Sequence, residues 1–142
     1  MDKTTIGVIG VGVVGEAIYN SLLEKKVPIV AYDKYKEYNT FDECLNTEML
    51  FLCLPTPYSN QRKEYDKTEL YKTVSQLKKN SYKGIILIKS TVEPGTTEHL
   101  QYESPELNFI HYPEFLSARS AQEDFTNQKH IIIGTTYKTH PI

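Results

Sequence analysis

The sequence is poor in several features that would point away from an ordinary globular domain. No apolar run approaches the roughly eighteen residues of a membrane-spanning helix, so no membrane partner is expected. Neither sign of charge dominates: 16 Lys and Arg face 18 Asp and Glu, leaving −2. Lys79, Lys83 and Lys89 are scattered rather than gathered into a stripe, so no nucleic-acid footprint is indicated. Cysteine is limited to Cys44 and Cys53, one in a short helical stretch and one inside an apolar strand, both read as buried free thiols. Met1-Asp2-Lys3-Thr4 leads into a strand without the apolar segment of a signal peptide, and a cytoplasmic protein is the expectation. Internal repeats, low-complexity tracts and linkers are also missing.

What is present is a 142-residue chain, 39% hydrophobic, long enough for one real core and too short for two large ones. A single domain over 1–142 is expected. Near its start, Gly10-Val11-Gly12-Val13-Val14-Gly15 directly follows a strand-like stretch, Thr5 to Ile9, and opens a helical one, Val13 to Lys26. A second strand-like run, Pro28 to Tyr32, then delivers Asp33. That context separates a dinucleotide-binding turn from a chance glycine turn followed by a surface aspartate. Gly10 permits the tight turn, Gly12 lets backbone approach a pyrophosphate, and Gly15 lets the helix pack against the strand. The helix N-terminus offers unpaired N–H groups to the phosphates. Asp33 can accept from a ribose 2′-hydroxyl, which favours NAD over NADP, with Lys34 as a neighbouring cation that softens the preference.

Strand and helix patterns alternate along the rest of the chain. A short helix is expected from Thr40 to Asn46, and a buried strand over Met49 to Leu54, stopped by Pro55-Thr56-Pro57. A polar loop leads to Asp66, read as the N-cap of a helix from Lys67 to about Asn80. Buried strands are expected at Ile85 to Ile88, Leu107 to His111 and His130 to Ile133, with a helix running from Pro94-Gly95 toward Gln101. Strands separated by helices predict an α/β fold with a doubly wound, mainly parallel sheet. Ligands of such sheets bind beyond the carboxyl ends of the strands. That rule selects Gly10 to Gly15, Asp33, Leu54 to Pro57, Ser90 to Val92 and Tyr112 to Glu114.

These same segments carry a family resemblance. Gly10 to Gly15, Asp33, Leu52-Cys53-Leu54-Pro55-Thr56-Pro57, Lys89-Ser90-Thr91-Val92-Glu93-Pro94-Gly95-Thr96-Thr97, Tyr112-Pro113-Glu114-Phe115-Leu116 and His130 to Gly134 follow one another in order. Together they resemble the N-terminal domain of the UDP-glucose/GDP-mannose dehydrogenases, which oxidise a nucleotide sugar to its uronic acid with two NAD. The resemblance implies a Rossmann-type fold with NAD as cofactor. It places Gly10, Val11, Gly12, Val13, Val14, Gly15, Asp33, Lys34, Leu54, Pro55, Thr56, Pro57, Ser90, Thr91 and Val92 near that cofactor. It further implies that Thr91 helps position a water used in thioester hydrolysis, and that Glu114 is a water-orienting or basic carboxylate near the reacting centre. From the residues alone the plainer readings are preferred, Thr91 as a helix or turn cap and Glu114 as a surface carboxylate on a loop.

The chain departs from the family pattern in four places. The family's nucleophilic cysteine, with a lysine and an asparagine, falls beyond residue 142, and neither Cys44 nor Cys53 matches its motif. The stretch between Asp33 and Met49 is short. Tyr112 stands where the family has asparagine, and Ser117 and Ala118 stand where a second carboxylate usually follows. Two readings follow. One is the NAD-binding part of a nucleotide-sugar 6-dehydrogenase, completed by a catalytic half and able to take a nucleotide sugar only with it. The other is a stand-alone NAD-binding or sensing module, or a degenerate remnant. Nucleotide-sensing regulators of potassium transport have no reason to carry STVEPGTT or PEFL, and 6-phosphogluconate and hydroxyisobutyrate dehydrogenases lack the Thr-Pro loop. A monomer or weak dimer is expected.

Overall fold

The computed structural model describes residues 4–140, so Met1-Asp2-Lys3 lies outside the described residues. Strand β1 (Ile6–Ile9) leads through the glycine turn into α1 (Val13–Glu24) and back to β2 (Ile29–Tyr32). A short helix α2 (Phe41–Leu45) precedes β3 (Met49–Leu52). Its start is written in the sequence: Thr40 Oγ1 accepts from the Glu43 backbone N–H while the Glu43 carboxylate accepts from the Thr40 N–H. This reciprocal cap satisfies two helix-end donors.

After β3 the chain forms a two-stranded antiparallel hairpin, β4 (Tyr58–Ser59) and β5 (Glu64–Tyr65), where the sequence reads as a polar loop. Its strands are two residues long, and its turn places Lys63 at φ 54, a left-handed position that holds neither glycine nor asparagine. Backbone bonds from the Lys63 N–H to Ser59 O and from the Asp66 N–H to Pro57 O close the hairpin, and the Tyr58 and Tyr65 rings meet edge-on across it, 5.3 Å apart. The following helix α3 (Thr68–Lys79) starts one residue later than expected, with Lys67 at the N-cap position. Asp66 still serves that end, because its Oδ1 accepts from both the backbone N–H and the hydroxyl of Thr68.

Strand β6 (Ile85–Ile88), helix α4 (Thr96–Glu103), strand β7 (Asn108–His111), helix α5 (Ala121–Asn127) and the two-residue strand β8 (Gly134–Thr135) complete the chain. The six-stranded sheet runs β2-β1-β3-β6-β7-β8, parallel throughout except for β8, which is antiparallel to β7. Successive side chains of a strand point to opposite faces. Leu50, Leu52, Ile86, Ile88 and Phe109 therefore meet α2, α3 and α4 on one face through Cys44, Leu70, Val74, Leu77 and Leu100. Val8, Phe51, Leu87 and Ile110 meet α1 and α5 on the other through Ile18 and Phe125. Both faces of the sheet are covered, which is why these strands are unbroken apolar runs.

The expected strand at His130 to Ile133 is not one. Ile131, Ile132 and Ile133 are exposed, and the pairing falls on Gly134 and Thr135. Two causes act together. Downstream, Thr136 and Thr139 are buried, the Thr136 hydroxyl donating to Gln101 Oε1 at 3.0 Å and the Thr139 hydroxyl to the Phe109 carbonyl at 2.8 Å. These bonds set Thr135 opposite Ile110. Upstream, the next partners in that register would be Tyr112 and Pro113. Pro113 falls two residues after His111, in phase with the position that pairs with Gly134, and has no N–H to offer that side.

Candidate dinucleotide-binding site

A cavity of about 1050 Å³ opens at the carboxyl ends of the parallel strands, the end at which such sheets receive ligands. Its first wall is the glycine turn. Gly10 has φ +92, and a Cβ there would strike the Cys53 carbonyl. A Cβ on Gly15 would strike the Gly10 carbonyl, so this glycine is required by packing behind the turn. Gly12 is different. A Cβ there meets nothing within 4 Å, so the turn itself does not demand a glycine at this position. It is also the N-cap of α1, and no side chain caps that helix end. Uncapped N–H groups beside an open glycine are what a pyrophosphate needs.

Asp33 leaves β2 beside that turn. Its Oδ2 accepts the Val11 N–H and its Oδ1 the Tyr35 N–H, each at 2.8 Å. Burial pulls the carboxyl upward, but these two donors and the nearby Lys36 cation outweigh it and hold the group below the usual aspartate range. An ionised carboxylate keeps lone pairs for a further donor such as a ribose hydroxyl. Lys36 crosses the turn to donate to the Val11 carbonyl at 2.6 Å, while Lys34 stays over the Tyr35 ring. The cation bound to the turn is therefore Lys36 rather than Lys34.

Two loops form the middle of the site. The Thr56 hydroxyl donates to the Thr91 carbonyl at 2.6 Å, and Ser90 Oγ both accepts from the Leu54 N–H and donates to the Leu54 carbonyl. Glu93 adds a clasp: its Oε1 accepts from the Tyr65 N–H and its Oε2 from Lys67 Nζ, both at 2.8 Å. The Lys67 ammonium, the Tyr65 N–H and its own backbone hold the Glu93 carboxyl down at about 2. Hairpin, Thr-Pro loop and the loop after β6 are thereby one connected wall.

The far end holds a group of ionisable side chains. Lys89 Nζ lies 3.3 Å from Glu114 Oε2 and 3.8 Å from the centre of the Tyr112 ring. Burial pulls the Lys89 ammonium below its ordinary value, and Glu114 opposes the shift. Cys53 lies just past the end of β3, is half-buried rather than buried, and lines the cavity. Burial pushes its thiol up to about 12 despite the Lys89 cation, so it is protonated at neutral pH. Cys44 is fully buried, as expected, its thiol likewise pushed up to about 12 by burial. No group of His, Cys, Asp and Glu among the described residues could hold a metal.

Gly10 to Val14, Asp33, Lys34, Leu54 to Pro57, Ser90, Thr91 and Glu114 all border this one cavity. Gly15 lies behind it. Val92 does not line it either and packs on the core face shared with α3. Sequence reasoning missed Lys36, Phe41, Tyr65, Thr73, Gln76 and Lys89, all of which line the cavity. Lys89 was visible as the residue preceding Ser90 in the KSTV run, but nothing local showed that it turns inward.

The sequence model of the "UDP-glucose/GDP-mannose dehydrogenase family, NAD binding domain" matches residues 17–141. The chain belongs to this family. The UDP-glucose 6-dehydrogenase of Rickettsia prowazekii (strain Madrid E) is 33% identical over 112 residues, 75% of this chain and 26% of that protein. This family member thus spans about a quarter of the length of the curated relatives it matches. A UDP-glucose dehydrogenase from Pyrobaculum islandicum superposes with a TM-score of 0.80 at 21% identity, over 94% of this chain and 41% of that one. An NDP-N-acetyl-D-galactosaminuronic acid dehydrogenase from Methanosarcina mazei Go1 gives 0.70 at 16% identity, over 94% and 39%. At such identities the superpositions establish the shared fold. The cofactor of this family domain is NAD, and the open Gly12, the uncapped α1 terminus and the ionised Asp33 are a donor and acceptor set that fits it.

Proposed function

We propose that this chain holds NAD for a nucleotide-sugar 6-dehydrogenase, which oxidises the sugar C6 alcohol to a uronate for polysaccharide biosynthesis in the cytoplasm. The observation that carries the reading is the single cavity running from Asp33 and the glycine turn to Thr91 and Glu114. NAD, when bound, supplies the hydride acceptor. The chain's own residues do the rest of its share. The α1 N-terminus and Gly12 receive the pyrophosphate, and Asp33 accepts from the adenosine ribose. Thr56 and Ser90 hold the two central loops in register. Glu114 is the carboxylate that orders water or takes a proton near the reacting carbon, with the Thr91 hydroxyl alongside.

The covalent step of the family needs a reactive thiol. A half-buried Cys53 with its proton retained does not supply one. On this reading the nucleophile and the sugar pocket come from additional sequence, in the same or another polypeptide. The alternative, a sensing module without turnover, draws its support from Ala118, whose exposed methyl stands where a second carboxylate is expected.

Titration calorimetry of the purified chain with NAD and NADP tests the cofactor assignment. Binding of NAD that is tighter than NADP is expected, because Asp33 repels a 2′-phosphate. Absence of NAD binding, or tighter NADP binding, would overturn the reading.

A further inference from the structure

The Lys89–Glu114 pair has a place in the cavity that the adenosine-binding features leave unexplained. The Lys89 side chain is 2% exposed and that of Glu114 16%. Glu114 Oε1 accepts the Leu116 N–H at 2.8 Å, which fixes the direction of the carboxylate. Glu114 Oε2 is buried, meets no well-aligned donor among the described residues, and has the Lys89 ammonium beside it at 3.3 Å. The ammonium is backed on its other side by the Tyr112 ring, whose hydroxyl is in turn held by Gln128 Nε2 at 3.1 Å. Burying two charges with an incomplete set of hydrogen bonds costs stability, and apolar residues would build the same wall more cheaply. A charge pair kept there needs a ligand-facing reason.

The position of the pair relative to the cofactor follows from topology. The strand order reverses between β1 and β3, and a dinucleotide lies across that crevice. With its adenosine half drawn to Asp33 and its pyrophosphate to α1, the nicotinamide half is directed toward the ends of β3, β6 and β7. Those ends carry Cys53, Lys89 and Glu114. The nicotinamide ring bears a unit positive charge when oxidised and none when reduced. A lone carboxylate beside it would favour the oxidised form, a lone ammonium the reduced form, and a pair neither.

We propose that Lys89 sets the relative affinity of this chain for NAD+ and NADH by neutralising Glu114 at the nicotinamide end of the cavity. This rests on the NAD-binding reading above and adds to it a residue that determines redox-state selectivity. Glu114 is thereby available as a carboxylate without turning the site into a trap for the oxidised cofactor. An enzyme that uses two NAD in succession needs both forms to exchange.

The experiment measures Kd for NAD+ and for NADH by calorimetry at fixed ionic strength, on the full 142-residue chain and its variants. At an effective dielectric of about 20, one unit charge acting over roughly 10 Å changes a binding ratio by about tenfold. Lys89→Met should therefore raise the ratio Kd(NADH)/Kd(NAD+) by about tenfold. Glu114→Gln should lower it by a similar factor. Lys89→Arg, which keeps the charge, should leave it within about twofold. The ratio is the decisive quantity, because a merely structural role would weaken both forms in parallel and leave it unchanged. Such a parallel loss, or an unchanged ratio, overturns the proposal. Should Lys89→Met not fold, Glu114→Gln decides alone, since it retains the lysine. If the unaltered chain binds neither form, it is the NAD-binding reading that has failed. If it binds both and the ratios stay put, only the role of Lys89 has.

Discussion

Asp33 closes back on the turn that precedes it in the chain, its Oδ2 accepting the Val11 N–H at 2.8 Å. Sequence patterns assign this carboxylate to a ribose, yet it also braces the glycine turn, and Lys36 braces the same peptide from its carbonyl side. Val11 is fully buried and thus held at both its polar atoms. The turn is organised before any ligand arrives, which lowers the ordering cost of binding.

Replacing Asp33 should consequently do two things at once. Asp33→Ala is expected to lower NAD affinity by about tenfold or more, from a lost charge-assisted acceptor. It should also narrow the discrimination against NADP. Calorimetry with both cofactors, together with a thermal melt, separates the lost ribose contact from the loosened turn. A full retention of NAD affinity would remove Asp33 from the site.

The three glycines of the turn should separate cleanly. Gly12→Leu is expected to leave the melting temperature nearly unchanged, since a side chain there meets open space, while NAD binding is lost. Gly10→Ala and Gly15→Ala should destabilise the fold itself, the first through its positive φ and the Cys53 carbonyl, the second through the Gly10 carbonyl. Circular dichroism melts alongside NAD titration distinguish the two classes.

Acid should undo the clasp between Glu93 and Lys67. The folded carboxyl sits at about 2 against an ordinary 4.5. A depressed carboxyl contributes stability that is complete above the unfolded value and lost as pH falls through the folded one. Glu93→Gln should therefore melt below the parent chain at pH 7, and the gap should close between about pH 4.5 and pH 2. A gap that does not change with pH would mean that the clasp does not depend on the charge of Glu93.

The end of the chain should show a contrast between neighbouring residues. Thr136→Val and Thr139→Val each remove buried hydrogen bonds and should cost about 1–3 kcal/mol in denaturant unfolding. Ile132→Ser should fall within about 0.5 kcal/mol of the parent, because that side chain is exposed. A large loss from Ile132→Ser would place the isoleucines in the core after all.

Incubated with NAD and UDP-glucose, the purified chain should form no NADH above background. Cys53 should also react slowly with a thiol-alkylating reagent at pH 7, since its thiol ionises only near 12. Turnover that vanishes in Cys53→Ser would overturn both expectations.

Much of this molecule is legible without coordinates, because its signals are local. The glycine turn between an apolar strand and a helix, and the carboxylate at the end of the next strand, are tied to backbone geometry within a few residues. The unbroken apolar runs at Met49 to Leu52 and Ile85 to Ile88 imply strands covered on both faces, and both are. The capping residues Thr40 and Glu43 mark a helix start without any tertiary contact. Other features depend on groups distant in the chain. Whether His130 to Ile133 pairs as a strand was decided by Thr136 and Thr139, by Gln101, and by the missing N–H of Pro113. The hairpin carries no glycine in its turn and is supported by two tyrosine rings meeting across it and by the distant Glu93 carboxylate. The pair of Lys89 and Glu114 forms only because β6 and β7 lie side by side in the sheet, bringing their ends together. Short-range backbone preference can be read from sequence, whereas which long side chain turns inward is settled by the charge that waits for it across the sheet.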